Sequence, residues 1–197
     1  MSKKLLGILV LGLMFISSQS KADDISDFEI GGMSIGVSLL KYMNLNEIKK
    51  AEENSTFYKD NRYIVIFSNK SSQKYEEIEI TYKPNDKNFL IHSLVGIIDY
   101  PDNYEKCKKD KSDIVAEVKE LFKNSKIFER EAPHFHDKSK KSIVDQTDFY
   151  PEQGGFARIS CTDWSKEFLT KHGWEDVLKV VIGSEEFNIF LRDEAYD

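Results

Sequence analysis

Cysteine, proline and arginine are all scarce in this chain of 197 residues, and each scarcity excludes something. Two Cys cannot supply the four ligands of a structural zinc site, nor staple a disulfide-dense mini-protein. With 4 Pro and 10 Gly the chain is neither collagen-like nor a Pro-rich linker. Arg is confined to positions 62, 130, 158 and 192, so the guanidinium forks that favour phosphate recognition are few. The 34 acidic residues outnumber the 28 basic ones, giving a formal net charge of −6 and no basic field for nucleic acid or anionic lipid. Gly-x-Ser-x-Gly and His-Glu-x-x-His are both missing. Gly31, Gly32 and Gly36 have no strand before them and no Lys-Ser/Thr pair after them, so they read as turn and helix entry rather than a phosphate loop. The adjacent carboxylates Glu76-Glu77 and Glu185-Glu186 read as solvated surface or helix start. Catalysis has no positive signature, and no cofactor is expected.

What is present begins with an address. Lys3 and Lys4 precede an apolar run from Leu5 to Ile16, and small residues at Ser20 and Ala22 frame a cleavage site, the pattern of a secretory signal over residues 1–22. Twelve apolar residues rise only about 18 Å, well short of a hydrocarbon core of about 30 Å. No Cys follows the run to take a lipid, and nothing downstream is long and apolar enough for stable membrane insertion. The expectation is a periplasmic or secreted protein whose mature chain, 23–197, folds as a single domain. Removing three Lys and no acid leaves 25 basic and 34 acidic residues, or −9.

Export turns the two cysteines into an expected disulfide. Tyr104, Cys107, Ile114, Val118 and Leu121 fall on one stripe of a long helix running from about Asn103 to Lys123. Ala157, Ile159 and Cys161 share one face of a strand by period 2. If that helix packs on that face, Cys107 and Cys161 meet, and closing so long a loop stabilises by about 4 kcal/mol in the chain-entropy model.

The other elements follow from periodicity and punctuation. Ser34 is the expected cap of a helix carrying Ile35, Leu39, Leu40 and Met43, and Asn44 with Glu47 opens a second. Tyr63 to Phe67, Tyr75 to Lys83 and Phe89 to Ile98 read as a three-stranded meander, with a bend or bulge near Gly96. Residues 124–141, with Pro133 and several Lys, read as a long loop. Ile143 to Tyr150 and Phe156 to Cys161 flank a hairpin turn, a short helix ends at Gly173, Val177 to Ile182 is a strand, and Ser184 caps a last helix. No internal repeat is visible. The sum is an α+β domain, an antiparallel sheet of about six strands with helices packed mainly on one face.

His134, Phe135, His136 and Asp137 are the local cluster with ligand character. In an extended segment His134 and His136 point the same way and form the expected metal site, with Asp137 or a distant carboxylate beside them. Lys138, Lys140 and Lys141, with the helical set from Lys106 to Lys111, suggest a local basic patch. Phe135, Phe149, Tyr150 and Phe156 suggest a partner surface. The two functions left open are a non-catalytic periplasmic module that binds a protein or small molecule, and a metal-binding protein or metal-dependent enzyme using His134 and His136.

The stretches from Phe28 to Leu40, Cys161 to Ser165 and Glu186 to Tyr196 resemble a group of small uncharacterised exported proteins of AT-rich marine bacteria, which implies export and one small domain. More loosely, the first half, a Gly-Met-Ser entry into two helices followed by a meander, is similar to the small outer-membrane assembly lipoproteins and to the β-lactamase inhibitor protein fold. The lipid-accepting Cys of those lipoproteins is not present.

Overall fold

Asn44 starts the first α-helix. Its side chain accepts the N–H groups of Asn46 and Glu47, and Glu47 returns a carboxylate oxygen to the Asn44 N–H at 2.8 Å, a reciprocal capping box. That helix, α1, spans Leu45–Glu52; α2 (Tyr104–Leu121), α3 (Lys166–His172) and α4 (Glu185–Asp193) follow. The strands are β1 (Thr56–Phe57), β2 (Ile64–Ser68), β3 (Glu77–Tyr82), β4 (Ile91–Asp99), β5 (Lys126–Pro133), β6 (Ile143–Tyr150), β7 (Phe156–Asp163) and β8 (Val177–Gly183). The computed structural model describes residues 24–68 and 74–195, so the expected signal segment lies outside the described residues.

All eight strands join one antiparallel sheet in the order β1-β2-β3-β4-β8-β7-β6-β5. The chain runs the same course twice, a helix and then a four-stranded meander, and the last strands of the two meanders, β4 and β8, meet at the centre. No sequence repeat marks this recurrence.

The α+β class stands, with two corrections. The sheet has eight strands rather than about six. β1 is too short to show a period, and β5 lies in the segment read as a loop, where Lys126 to Glu131 are all exposed and no buried face imposes an alternation. Secondly, the helices do not share one face. Ile48 of α1 and Cys107, Ile114 and Val118 of α2 join the core formed by Ile66, Ile80, Ile159 and Val180. Phe187 and Phe190 of α4 instead pack with Tyr63 and Phe156, which point to the other face. Burying each such aliphatic or aromatic side chain is worth about 1.5–3 kcal/mol.

The disulfide Cys107–Cys161 ties α2 to β7, with Cα atoms 5.9 Å apart. Lys111, one turn further along α2, enters the same interface rather than the surface patch expected of it: Nζ lies 2.6 Å from Asp145 Oδ1 and the residue is buried.

Between Ile35 and Met43 the expected helix shrinks to a 3-10 turn at Leu39–Lys41. Gly36, at φ +78°, turns the backbone so that its N–H donates to Ile91 O at 2.9 Å, and Leu39 N–H donates to Phe89 O at 2.8 Å. Pairing with the start of β4 wins over helix. No bulge occurs at Gly96, which pairs regularly with Ile78 and Val180; the register shift lies at Thr81/Tyr82. Gly96 is required by the Tyr75 ring, whose carbon a Cβ there would approach to 2.5 Å.

Candidate functional site

On the face away from α1 and α2, the sheet is only partly covered. α4 sits over one end, and beside it the outward positions of β5 to β8 form an open groove in two adjoining parts that share Arg158. The larger part, about 1310 Å³, runs between α4 (Asn188, Leu191) and Phe128, Tyr150 and Phe156. The smaller, about 480 Å³, is floored by Gln146, Ser160, Thr162 and Lys179 and ends at Trp164, His134 and Phe135.

The floor is polar because every second residue of β6, β7 and β8 points away from the core. Asp148 is its centre. One carboxylate oxygen accepts Arg158 Nε at 2.6 Å, the other accepts Gln146 Nε2 at 2.6 Å, and Gln146 Oε1 accepts Arg130 Nη2 at 3.3 Å. This chain crosses three strands, β5 to β7. Lys179 on β8 reaches across β4 to Glu79 on β3, 3.5 Å away. Asp148 keeps only 10% of its side-chain surface, so the charge-assisted bonds replace water that the site excludes. The smaller part of the groove brings together Arg130, Arg158 and Lys179, with Arg158 paired to Asp148 and Lys179 to Glu79, so three cations meet two carboxylates.

The end of the groove is a run of rings. Trp164 stacks on Phe168 with centroids 4.8 Å apart and an 8° tilt, meets Trp174 edge-on at 4.8 Å, and lies 4.3 Å from His134. Phe135, 78% exposed, and Trp174 form its outer surface. α3 positions Phe168: Ser165 caps the helix, and Gly173, at φ +65°, accepts the left-handed turn that ends it.

The two sequence-predicted ligands fall into this ring cluster. His134 and His136 stack with centroids 5.5 Å apart, and the His136 N–H donates to His134 Nδ1 at 3.2 Å, which commits that nitrogen as an acceptor. Burial and the neighbouring His136 lower the His134 pKa. Asp137, the expected third donor, turns inward. Its carboxylate accepts the N–H and hydroxyl of Ser139 at 2.9 and 2.6 Å, those of Ser142 at 3.0 and 2.6 Å, and the Ser165 hydroxyl at 3.1 Å. The donors of Ser139 and Ser142 hold its pKa far below the usual carboxylate range. Among the described residues no group of three or more His, Cys, Asp or Glu is placed to hold a metal. His172 does join the ring cluster, 4.3 Å from Phe168, whereas His92 lies apart beside Ser184 and Glu186.

The expected aromatic surface divides. Phe135 is exposed, Phe149 is in the core, Phe156 is buried under α4 and Tyr150 is half-buried at the groove wall. Carboxylates whose pKa burial raises, Glu77, Asp99, Asp163 and Asp176, stand at strand ends and none lines the groove. The floor residues went unrecognised in the sequence, although the outward phase of the strands, Gln146 and Asp148, then Arg158, Ser160 and Thr162, was legible there.

No helix among the described residues is long and apolar enough to cross a membrane. Searches against protein-family models, curated proteins and solved structures returned no match to this chain.

Proposed function

We propose that the protein is an exported, non-catalytic binding module that takes a segment of a partner protein on the open face of β5 to β8. The carrying observation is the groove itself: much of a sheet face left without a covering helix, with aromatic side chains at both ends and, between them, Arg130 on the neutral Gln146 beside the paired Arg158 and Lys179. Trp, Tyr and Arg are the residues that dominate binding energies at protein interfaces, and here Tyr150 walls one end of the groove and Trp164 the other, with Arg158 shared between them. The matching segment carries an acidic side chain between apolar ones. Export is supported by the disulfide, which persists in oxidising compartments.

Comparative capture from a cell-envelope extract tests this reading. The protein and its Lys179→Glu/Phe135→Ala variant are used as baits; Phe135 is exposed and Lys179 half-buried beside Glu79, so an unchanged melting temperature of the variant is required first. A partner held by the first and reduced at least about tenfold on the second supports it, a loss of about 1.4 kcal/mol. Equal retention by both baits, or turnover of a substrate by the isolated protein, overturns it. Amino-terminal sequencing of the exported form should begin at Asp23.

A further inference from the structure

β5 is the strand that the core does not explain. It is eight residues long and, among the described residues, pairs with β6 alone and contributes nothing to either hydrophobic cluster. From Lys126 to Glu131 it is exposed on both faces. The opposite edge of the sheet is closed off, since β1 has only two residues and turns away at once into the 3-10 turn Lys59–Asn61. A long open edge presents a row of unpaired N–H and C=O groups, a template for another strand that folded proteins ordinarily blunt. β5 carries charges and Pro133 along that edge, which disfavour unselective pairing, but its length and the exposed Ile127 and Phe128 leave room for a strand whose charges match.

Its charges are sorted by face. Pairing with β6 puts Lys126, Phe128 and Arg130 on the groove side with Tyr150, Asp148 and Gln146, and puts Ile127, Glu129 and Glu131 on the α2 side, where Lys119 lies 3.1 Å from Glu129. A second copy of this chain does not fit. Antiparallel pairing of β5 with itself requires a two-fold axis perpendicular to the sheet, which keeps each face on its own side, so the axis must pass through a residue. Centred on Glu129, on Arg130 or on Glu131, the axis sets that charge opposite itself. Centred on Phe128, it sets Lys126 opposite Arg130. Every register that pairs five or more residues thus places like charges directly opposite, which is destabilising.

We propose that β5 receives an extended segment of a partner protein as a ninth, antiparallel strand. Acidic residues of that segment stand opposite Lys126 and Arg130, apolar ones opposite Ile127 and Phe128, and basic ones opposite Glu129 and Glu131. Main-chain bonds supply the affinity and the alternating charges supply the register. This edge is a different surface from the floor of the groove, and the two are separable by experiment.

The probe is a labelled peptide, Lys-Glu-Lys-Phe-Val-Glu, titrated into the full chain by fluorescence polarisation. Saturable binding is expected, with new protection of residues 126–133 from amide hydrogen exchange. The double variant Glu129→Lys/Glu131→Lys, changed on the face away from the groove, should weaken binding about tenfold, and the peptide with both Lys replaced by Glu should then prefer the variant. Lys179→Glu should leave peptide binding within about twofold, because screened, exposed charges that do not touch interact weakly. No saturable binding, binding without protection at 126–133, or an equal loss on Lys179→Glu overturns the proposal. So does self-association of the unliganded chain that protects the same strand.

Discussion

β1–β4 and β5–β8 follow the same course but are closed differently. The first meander is covered on both faces, by Ile48 of α1 on one side and by Phe187 and Phe190 of α4, against Tyr63, on the other. The second is covered by α2 on one face, where the contact is made covalent by Cys107–Cys161, while on the other face the α4 cluster reaches only Phe156, Val181 and the partly buried Tyr150. Its bare face is held by hydrogen bonds across strands, from Arg130 through Gln146 and Asp148 to Arg158. Burial on two faces stabilises without needing a staple. A half that keeps one face open for a ligand loses that apolar burial, and the disulfide and the charge-assisted ladder offset the loss.

The largest way to break this comparison is to cut the staple. Replacing both Cys by Ala, or reducing them, should lower stability by about 4 kcal/mol, with two thiols titratable only after reduction. Hydrogen exchange should then rise first in β5 to β7; a rise spread evenly over both meanders would show that the halves do not differ. Next, Phe190→Ala strips an aromatic anchor from the doubly covered half and should cost about 3 kcal/mol in urea titration, loosening α4 while leaving the disulfide intact. Arg158→Ala leaves Asp148 buried with Gln146 as its remaining partner and should cost about 1–2 kcal/mol; an unchanged midpoint would mean that the ladder adds nothing to the open half.

The two halves also respond to acid in different windows. Burial lowers the pKa of His92, which faces Ser184 and Glu186 of the closed half with Lys83 and Asp86 nearby, so the unfolded chain binds the proton more readily. Its contribution is complete above about pH 6.5 and declines as pH falls below that value. Asp137 is the reverse type of group, a carboxylate whose pKa is depressed by the donors of Ser139 and Ser142. Its contribution is complete above about pH 4 and is lost as pH falls further. Plotting stability against pH for His92→Gln and Asp137→Asn should flatten the upper limb in the first and the lower limb in the second. The smallest effect should come from Glu129→Lys/Glu131→Lys, within about 0.5 kcal/mol, because exposed strand charges away from the core matter little to folding.

Legibility in the sequence tracked burial. The α2 stripe, the alternation of β3, the β6–β7 hairpin and the cap of α4 at Ser184 all stand where the pattern placed them, because each is enforced by one buried face or one local hydrogen bond. Lys111 was misplaced because a Lys in a helical stripe reads as solvent-facing until Asp145 appears beneath it. Ile35 to Met43 carries a helical period, but Ser38 donates its hydroxyl to Asn88 O at 2.6 Å and the backbone pairs with Phe89 and Ile91, partners far away in sequence. The inward turn of Asp137, away from His134 and His136, was not legible because its seryl donors lie up to 28 residues away.

The sequence by itself determined the two cysteines as one bridge, the acidic charge and the α+β class, since each rests on residue type and a period of 2 or 3.6. Only the tertiary structure decided that β5 extends the sheet, that α4 crosses to the opposite face, and that Arg130, Arg158 and Lys179 converge in one groove. These depend on which strand lies beside which, and strand order is fixed by long-range pairing of backbone groups that are chemically the same at every residue.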